Sequence, residues 1–129
     1  MSAAAELAPL RAEVEAALVA ALIVKPARIE DLRGWFDAGW LEDERHVDLV
    51  EALQQGVSLR GFAQTCDLEA RRYFRDLAGC VVSDDVRHYG LALHALRRRQ
   101  LEAMARSLMA EAAKPALAPA AVREVRHAA

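Results

Sequence analysis

The sequence predicts an all-α protein: a single bundle of five or six helices with long first and last helices and a short helix-turn-helix-like pair in the middle. Three observations carry that prediction. Apolar residues recur at three- and four-residue spacing along much of the chain, and no segment alternates apolar and polar residues over strand length. Alanine, the strongest helix former, supplies much of the 54% apolar content. Glycine and proline, which interrupt helices, number only six and four in 129 residues. A chain of this length holds one domain with a real core. That domain is expected over residues 1–113, followed by an Ala/Pro-rich flexible tail at 114–129.

The first helix is expected from Pro9 to Val24. Leu7, Leu10, Val14, Ala17, Ala21 and Val24 fall at 3-4-3-4-3 spacing beside Leu18 and Leu22, which makes one wide apolar face. Pro9 suits a first turn, and Lys25-Pro26 ends the helix because the residue before proline avoids helical angles. A shorter helix follows from Ala27 to Asp37 with Ile29, Leu32, Trp35 and Phe36 inward, broken by Gly39. A third spans Leu41 to Gln55 on Val47, Leu49, Val50 and Leu53, with Gly56 as its C-terminal cap. Ser58 and Asp67 cap the fourth and fifth helices. After a connector at Gly79–Val82, Ser83 caps a sixth helix reaching Ala113. Its apolar stripe is Val86, Tyr89, Leu93, Leu96, Leu101, Met104 and Leu108, opposite Arg97, Arg98, Arg99 and Arg106. The run Glu42-Asp43-Glu44-Arg45-His46 is echoed by Asp84-Asp85-Val86-Arg87-His88, and shared helix-start chemistry accounts for the echo.

Composition narrows the function classes. The apolar run Ala16–Val24 is nine residues long, and a membrane span needs about 20, so no membrane association is expected. Met1–Glu6 carry no positive segment, so no secretory signal is read. Two cysteines, Cys66 and Cys80, do not make a disulfide framework, and a cytoplasmic location with reduced thiols is expected. Net charge is −2, yet residues 1–57 hold 11 acids and 5 bases while residues 58–129 hold 8 acids and 12 bases. That asymmetry points to an anionic partner for the second half, or to two halves that neutralise each other.

Residues 58–79 carry the most information. They read as a short helix, a tight break at Asp67 and a second helix with Arg71, Arg72 and Arg75. Ala63 is the small residue between the helices, Phe62, Cys66 and Leu68 are apolar around it, and Tyr73, Phe74 and Leu77 can lock the second helix onto the first. From Val50 to about Leu77 this resembles the DNA-binding modules of bacterial helix-turn-helix regulators of the tetracycline-repressor or resolvase type. Asp67 stands where such modules usually place glycine, a position in which aspartate tolerates left-handed angles. The resemblance implies that Glu69, Ala70, Arg71 and Arg75 face base edges or phosphates, with Arg72 beside them, and that Arg60 meets the backbone. Read without the resemblance, Asp67 with Arg71 and Arg72 with Asp76 are i,i+4 pairs that support an exposed helix.

Arg97, Arg98 and Arg99 are further candidates for gripping phosphates, or else a solvated face. Phe36 and Trp35 are expected in the core and Trp40 on a contact surface. Cys66, Cys80, His88 and His94 lack metal-ligand spacing, so no metal is expected. No glycine-rich phosphate loop or nucleophile elbow is present, so neither cofactor, small-molecule substrate nor enzymatic activity is expected. Two functions remain. One is a non-enzymatic regulator binding DNA through residues 58–77 and dimerising through its outer helices. The other is a helical protein–protein interaction module working through Leu10, Val14, Leu18 and Trp40 or through the tail.

Overall fold

A computed structural model of the chain describes residues 3–114. Among these the protein is all-helical. In order come α1 (Ala3–Val24), a 3-10 helix (Pro26–Leu32), a second short one (Ala38–Trp40), α2 (Glu44–Gln54), α3 (Leu59–Thr65), α4 (Leu68–Ala78) and α5 (Val86–Ala112). No helix among the described residues is long and apolar enough to cross a membrane. The expected tail lies outside the described residues from position 115 onward.

The frame is the pair α1 and α5, packed side by side. They run antiparallel: Arg11 reaches Gln100, while Lys25 pairs with Asp84 just before α5 begins. The two 3-10 segments and α2 close one side of this pair, and α4 leans on α1. Leu18, Val19, Ala20, Ala21 and Leu22 are all buried, so the last turns of α1 are enclosed on every side. Leu10 and Val24 of the expected apolar face are exposed. From Leu10 to Ala17 the buried side chains of α1 are Arg11 and Glu15, not Leu10, so the packed side is rotated from the expected apolar face. Leu18, expected at an interface, is fully buried core, and a partner cannot reach it.

Local chemistry moves several boundaries. Pro9 lies inside α1 instead of opening it. The helix expected over 27–37 is a 3-10 helix ending at Leu32, because Gly34 takes φ +86°, a left-handed angle that glycine adopts without strain. Ile29, Leu32 and Phe36 are nevertheless buried, with Trp35 half-buried. α2 starts at Glu44 rather than Leu41, since Asp43 accepts from the Arg45 amide as its cap. Its C-terminal end is a Schellman turn: Gly56 at φ +85° donates to Leu53, and Val57 donates to Ala52. Ser58 and Asp67 cap α3 and α4 through the Gly61 and Ala70 amides. Asp85, not Ser83, caps α5 by accepting from His88, while the Ser83 hydroxyl accepts from Asp85 one turn earlier.

α5 departs most from its expected stripe. Val86, Leu93 and Leu96 are buried, but Leu101, Met104 and Leu108 are exposed, and Ala103 is buried instead. The expected stripe jumps five residues between Leu96 and Leu101. At 3.6 residues per turn that is a rotation of roughly 140° away from the packed side. Earlier in the helix, Gly90 marks a close approach: a Cβ there would stand 2.9 Å from both Leu32 and Trp35.

Leu22→Ala is expected to lower the unfolding free energy by about 2–5 kcal/mol, and Leu10→Ala by less than about 1 kcal/mol. Urea denaturation of the two variants checks the contrast, since the sequence pattern alone puts both residues on the same helix and among its apolar positions.

Candidate nucleic-acid interface

The position of α4 depends on a buried polar chain linking α1, α2 and α4. Glu15 on α1 is 3% exposed and His46 on α2 is 4% exposed. The Glu15 carboxylate accepts from the Glu42 amide at 2.7 Å, from the Asp43 amide at 3.1 Å and from His46 Nδ1 at 2.6 Å. His46 Nε2 lies 2.6 Å from the Tyr73 hydroxyl on α4. The two imidazole nitrogens thus join a carboxylate on one side to a phenol on the other. The Arg45 guanidinium covers the Tyr73 ring at 3.5 Å and is itself held by both Asp43 oxygens.

Burial by itself would raise the Glu15 carboxyl. Hydrogen bonds from His46 and from the Glu42 and Asp43 amides outweigh it and hold the group below its ordinary value. Burial raises the Tyr73 phenol, helped by Asp43 and Glu15 and opposed by Arg45. The phenol therefore stays neutral, and the carboxylate–imidazole–hydroxyl chain acts as a tether. One turn before Glu15, Arg11 donates to Gln100 Oε1, to the Trp40 carbonyl and to the Glu42 carboxylate. Arg11 and Glu15 together clamp residues 40–43 onto α1.

This tether turns one face of α4 inward. Phe74 is buried, and Ala70, Tyr73 and Leu77 are half-buried. Phe62 of α3 meets Phe74 edge to face at 5.7 Å. The other face carries Arg71, Arg72 and Arg75, all exposed. Among the described residues none of the three has a carboxylate partner. The expected pairs of Asp67 with Arg71 and Arg72 with Asp76 are therefore not formed. Asp67 is occupied in capping α4, and Arg71 turns its Nε to the Cys66 carbonyl at 3.1 Å. The break between α3 and α4 also differs from expectation: Cys66 and Asp67 are both extended, with no left-handed residue. Leu68, expected to be packed, is 61% exposed.

The structure brings some sequence-predicted residues together and separates others. Arg60 is exposed on α3, beside α4 in the chain, and Glu69 is exposed in the first turn of α4, within the electrostatic reach of Arg45. Arg97, Arg98 and Arg99 belong to α5, which packs on α1 and the 3-10 segments, whereas α4 packs on α1. Arg97 is half-buried on the packed side and Arg98 pairs with Glu102 at 3.2 Å, so these three do not extend the α4 face. Of the expected interface residues, Leu10 is exposed and Val14 half-buried. Trp40 is half-buried, stacked on Phe36 at 5.1 Å and meeting the tilted ring of His94 at 4.8 Å. Among the described residues no cluster of His, Cys, Asp or Glu could hold a metal.

Sequence reasoning missed the Glu15–His46–Tyr73 chain, although its signal is present. Arg11, Glu15, Leu18 and Leu22 follow 4-3-4 spacing, and His46, Leu49, Val50 and Leu53 share one face of α2. Polar residues in phase with a buried stripe mark a buried polar network.

Because the folded Glu15 binds a proton more weakly than the unfolded one, its stabilisation is complete above the ordinary value of 4.5 and is lost as pH falls through the lower folded value. Asp43, held down by its bond from Arg45 against opposing burial, acts in the same sense. Unfolding free energy is thus expected to stay level down to about pH 5 and to fall below it, with Glu15→Gln removing part of that slope. Tyr73→Phe leaves His46 Nε2 without its partner, and a loss of about 1–3 kcal/mol is expected by urea denaturation. Comparison with protein-family models, with curated proteins and with solved structures gives no match to this chain.

Proposed function

We propose that this chain is a non-enzymatic, cytoplasmic regulator of bacterial type that binds DNA through the α3–α4 pair. The observation that carries this reading is the outer face of α4, where three exposed arginines stand within five residues without carboxylate partners among the described residues. An exposed guanidinium not paired with a carboxylate is suited to phosphate oxygens, and its fork can also read guanine edges. Arg60 on α3 stands at the side of the pair as a backbone contact. The rigid attachment of Tyr73 through His46 to Glu15 supports the same reading, because a recognition helix must hold its orientation against the duplex. Dimerisation supplies a second half-site.

A second reading, a protein–protein interaction module, is favoured by the exposed ridge of Leu101, Met104 and Leu108 on α5. A stoichiometric protein partner retained during purification, without nucleic acid, supports it.

Gel retardation of pooled genomic DNA tests the first reading. Retardation is expected at low salt and weakens as salt rises, because phosphate contacts release counterions. Arg71→Ala combined with Arg75→Ala is expected to abolish it while changing the unfolding free energy by no more than about 0.5 kcal/mol per site. Absence of retardation by the parent protein at low salt overturns the reading.

A further inference from the structure

Between α1, α3 and α4 runs an open groove of about 250 Å³. Ile23, Phe62, Ala63 and Phe74 form its apolar wall, and Arg71 and Arg75 stand on its α4 side. The two guanidiniums are one helical turn apart, so both can address one anionic group. Arg71 uses its Nε on the Cys66 carbonyl, which leaves its terminal nitrogens available. Two cations beside an apolar wall call for a ligand with the opposite division: one anionic end and one hydrocarbon body. The planar fork of arginine matches a carboxylate in two parallel hydrogen bonds. The volume lies below the 300–1,000 Å³ usual for drug-sized ligands, which sets the scale of the hydrocarbon.

We propose that this groove binds a small apolar monocarboxylate, its carboxylate on Arg71 and Arg75 and its hydrocarbon against Ile23, Phe62 and Phe74. Apart from Ile23 and Leu59, the site is lined by side chains that the helix-turn-helix resemblance assigns either to DNA contact or to packing, and ligand binding goes beyond that reading. Cys66 lines the same groove, whereas Cys80 is exposed elsewhere, so the Cys66 thiol reports occupancy in a Cys80→Ser background.

Calorimetric titration of the full chain with octanoate, 1-octanol and inorganic phosphate tests the assignment. Saturable 1:1 binding of octanoate is expected, with octanol and phosphate each at least about tenfold weaker, since each offers only half of the required chemistry. Arg75→Gln, an exposed site that leaves folding intact, is expected to weaken octanoate about tenfold, the scale of one charge-assisted hydrogen bond. Ala63→Trp fills the groove and is expected to abolish binding. Octanoate is further expected to slow the reaction of Cys66 with a thiol reagent, which is read on the unsubstituted groove. Octanol binding as tightly as octanoate, phosphate binding as tightly as octanoate, or no saturable binding overturns the proposal. The two functional readings fail separately: octanoate titration needs no DNA, and retardation of DNA needs no octanoate.

Discussion

The mutual placement of α1, α2 and α4 depends on one buried carboxylate. Glu15 takes two backbone amides ahead of α2 and the imidazole of His46, and His46 in turn takes the phenol of α4. A carboxylate removed from water is tolerated only when donors surround it, and here three do so. The constraint is reciprocal. Without Glu15 the two amides and the imidazole would be the orphaned groups, so α1, α2 and α4 have one mutual arrangement that satisfies all of them. Arg11 reinforces it by binding the neighbouring Trp40 carbonyl and the Glu42 side chain, while also reaching α5 through Gln100.

The exposed positive face of α4 follows from how the acids are used. Most of the excess acid lies in residues 1–57, and much of it is paired within that half. Glu42 meets Arg11, Asp43 meets Arg45 and Glu30 meets Arg33. The ion pairs that do cross between halves run in the opposite sense, with Lys25 and Arg28 on Asp84. The two halves therefore do not neutralise each other through the arginines of α4. Asp67 is equally unavailable, because its carboxylate caps the helix. The exposed side of α4 also carries Glu69 and Asp76, but Arg71 and Arg75 are the charged groups beside the aromatic pair Phe62 and Phe74, and both the DNA-binding and the carboxylate-binding proposals draw on this juxtaposition.

Helix identity was legible where local chemistry decides it. The break at Gly56 and the caps at Ser58 and Asp67 could be read from residue types, since a cap or a left-handed glycine acts within one turn. The 3-10 character of Pro26–Leu32 was less visible because a lone glycine, Gly34, ends it before the apolar residues do. Among the candidate site residues, the exposure of Arg71, Arg72 and Arg75 was legible from the amphipathic spacing of Phe74, Tyr73 and Leu77. The separation of Arg97–Arg99 from them was not, because spacing along one helix carries no information about which neighbour that helix meets.

The sequence by itself determined an all-helical chain, most of its helix ends and the charge imbalance between its halves, all of them consequences of interactions spanning a few residues. Only the tertiary structure decided that Leu18 is core and Leu10 is not, that Leu101 and Leu108 face outward, and that Glu15, His46 and Tyr73 meet. The reason is that burial and buried hydrogen bonds depend on which helices pack together. The partners of His46 lie 31 and 27 residues away along the chain, and chain folding alone brings them within hydrogen-bonding distance.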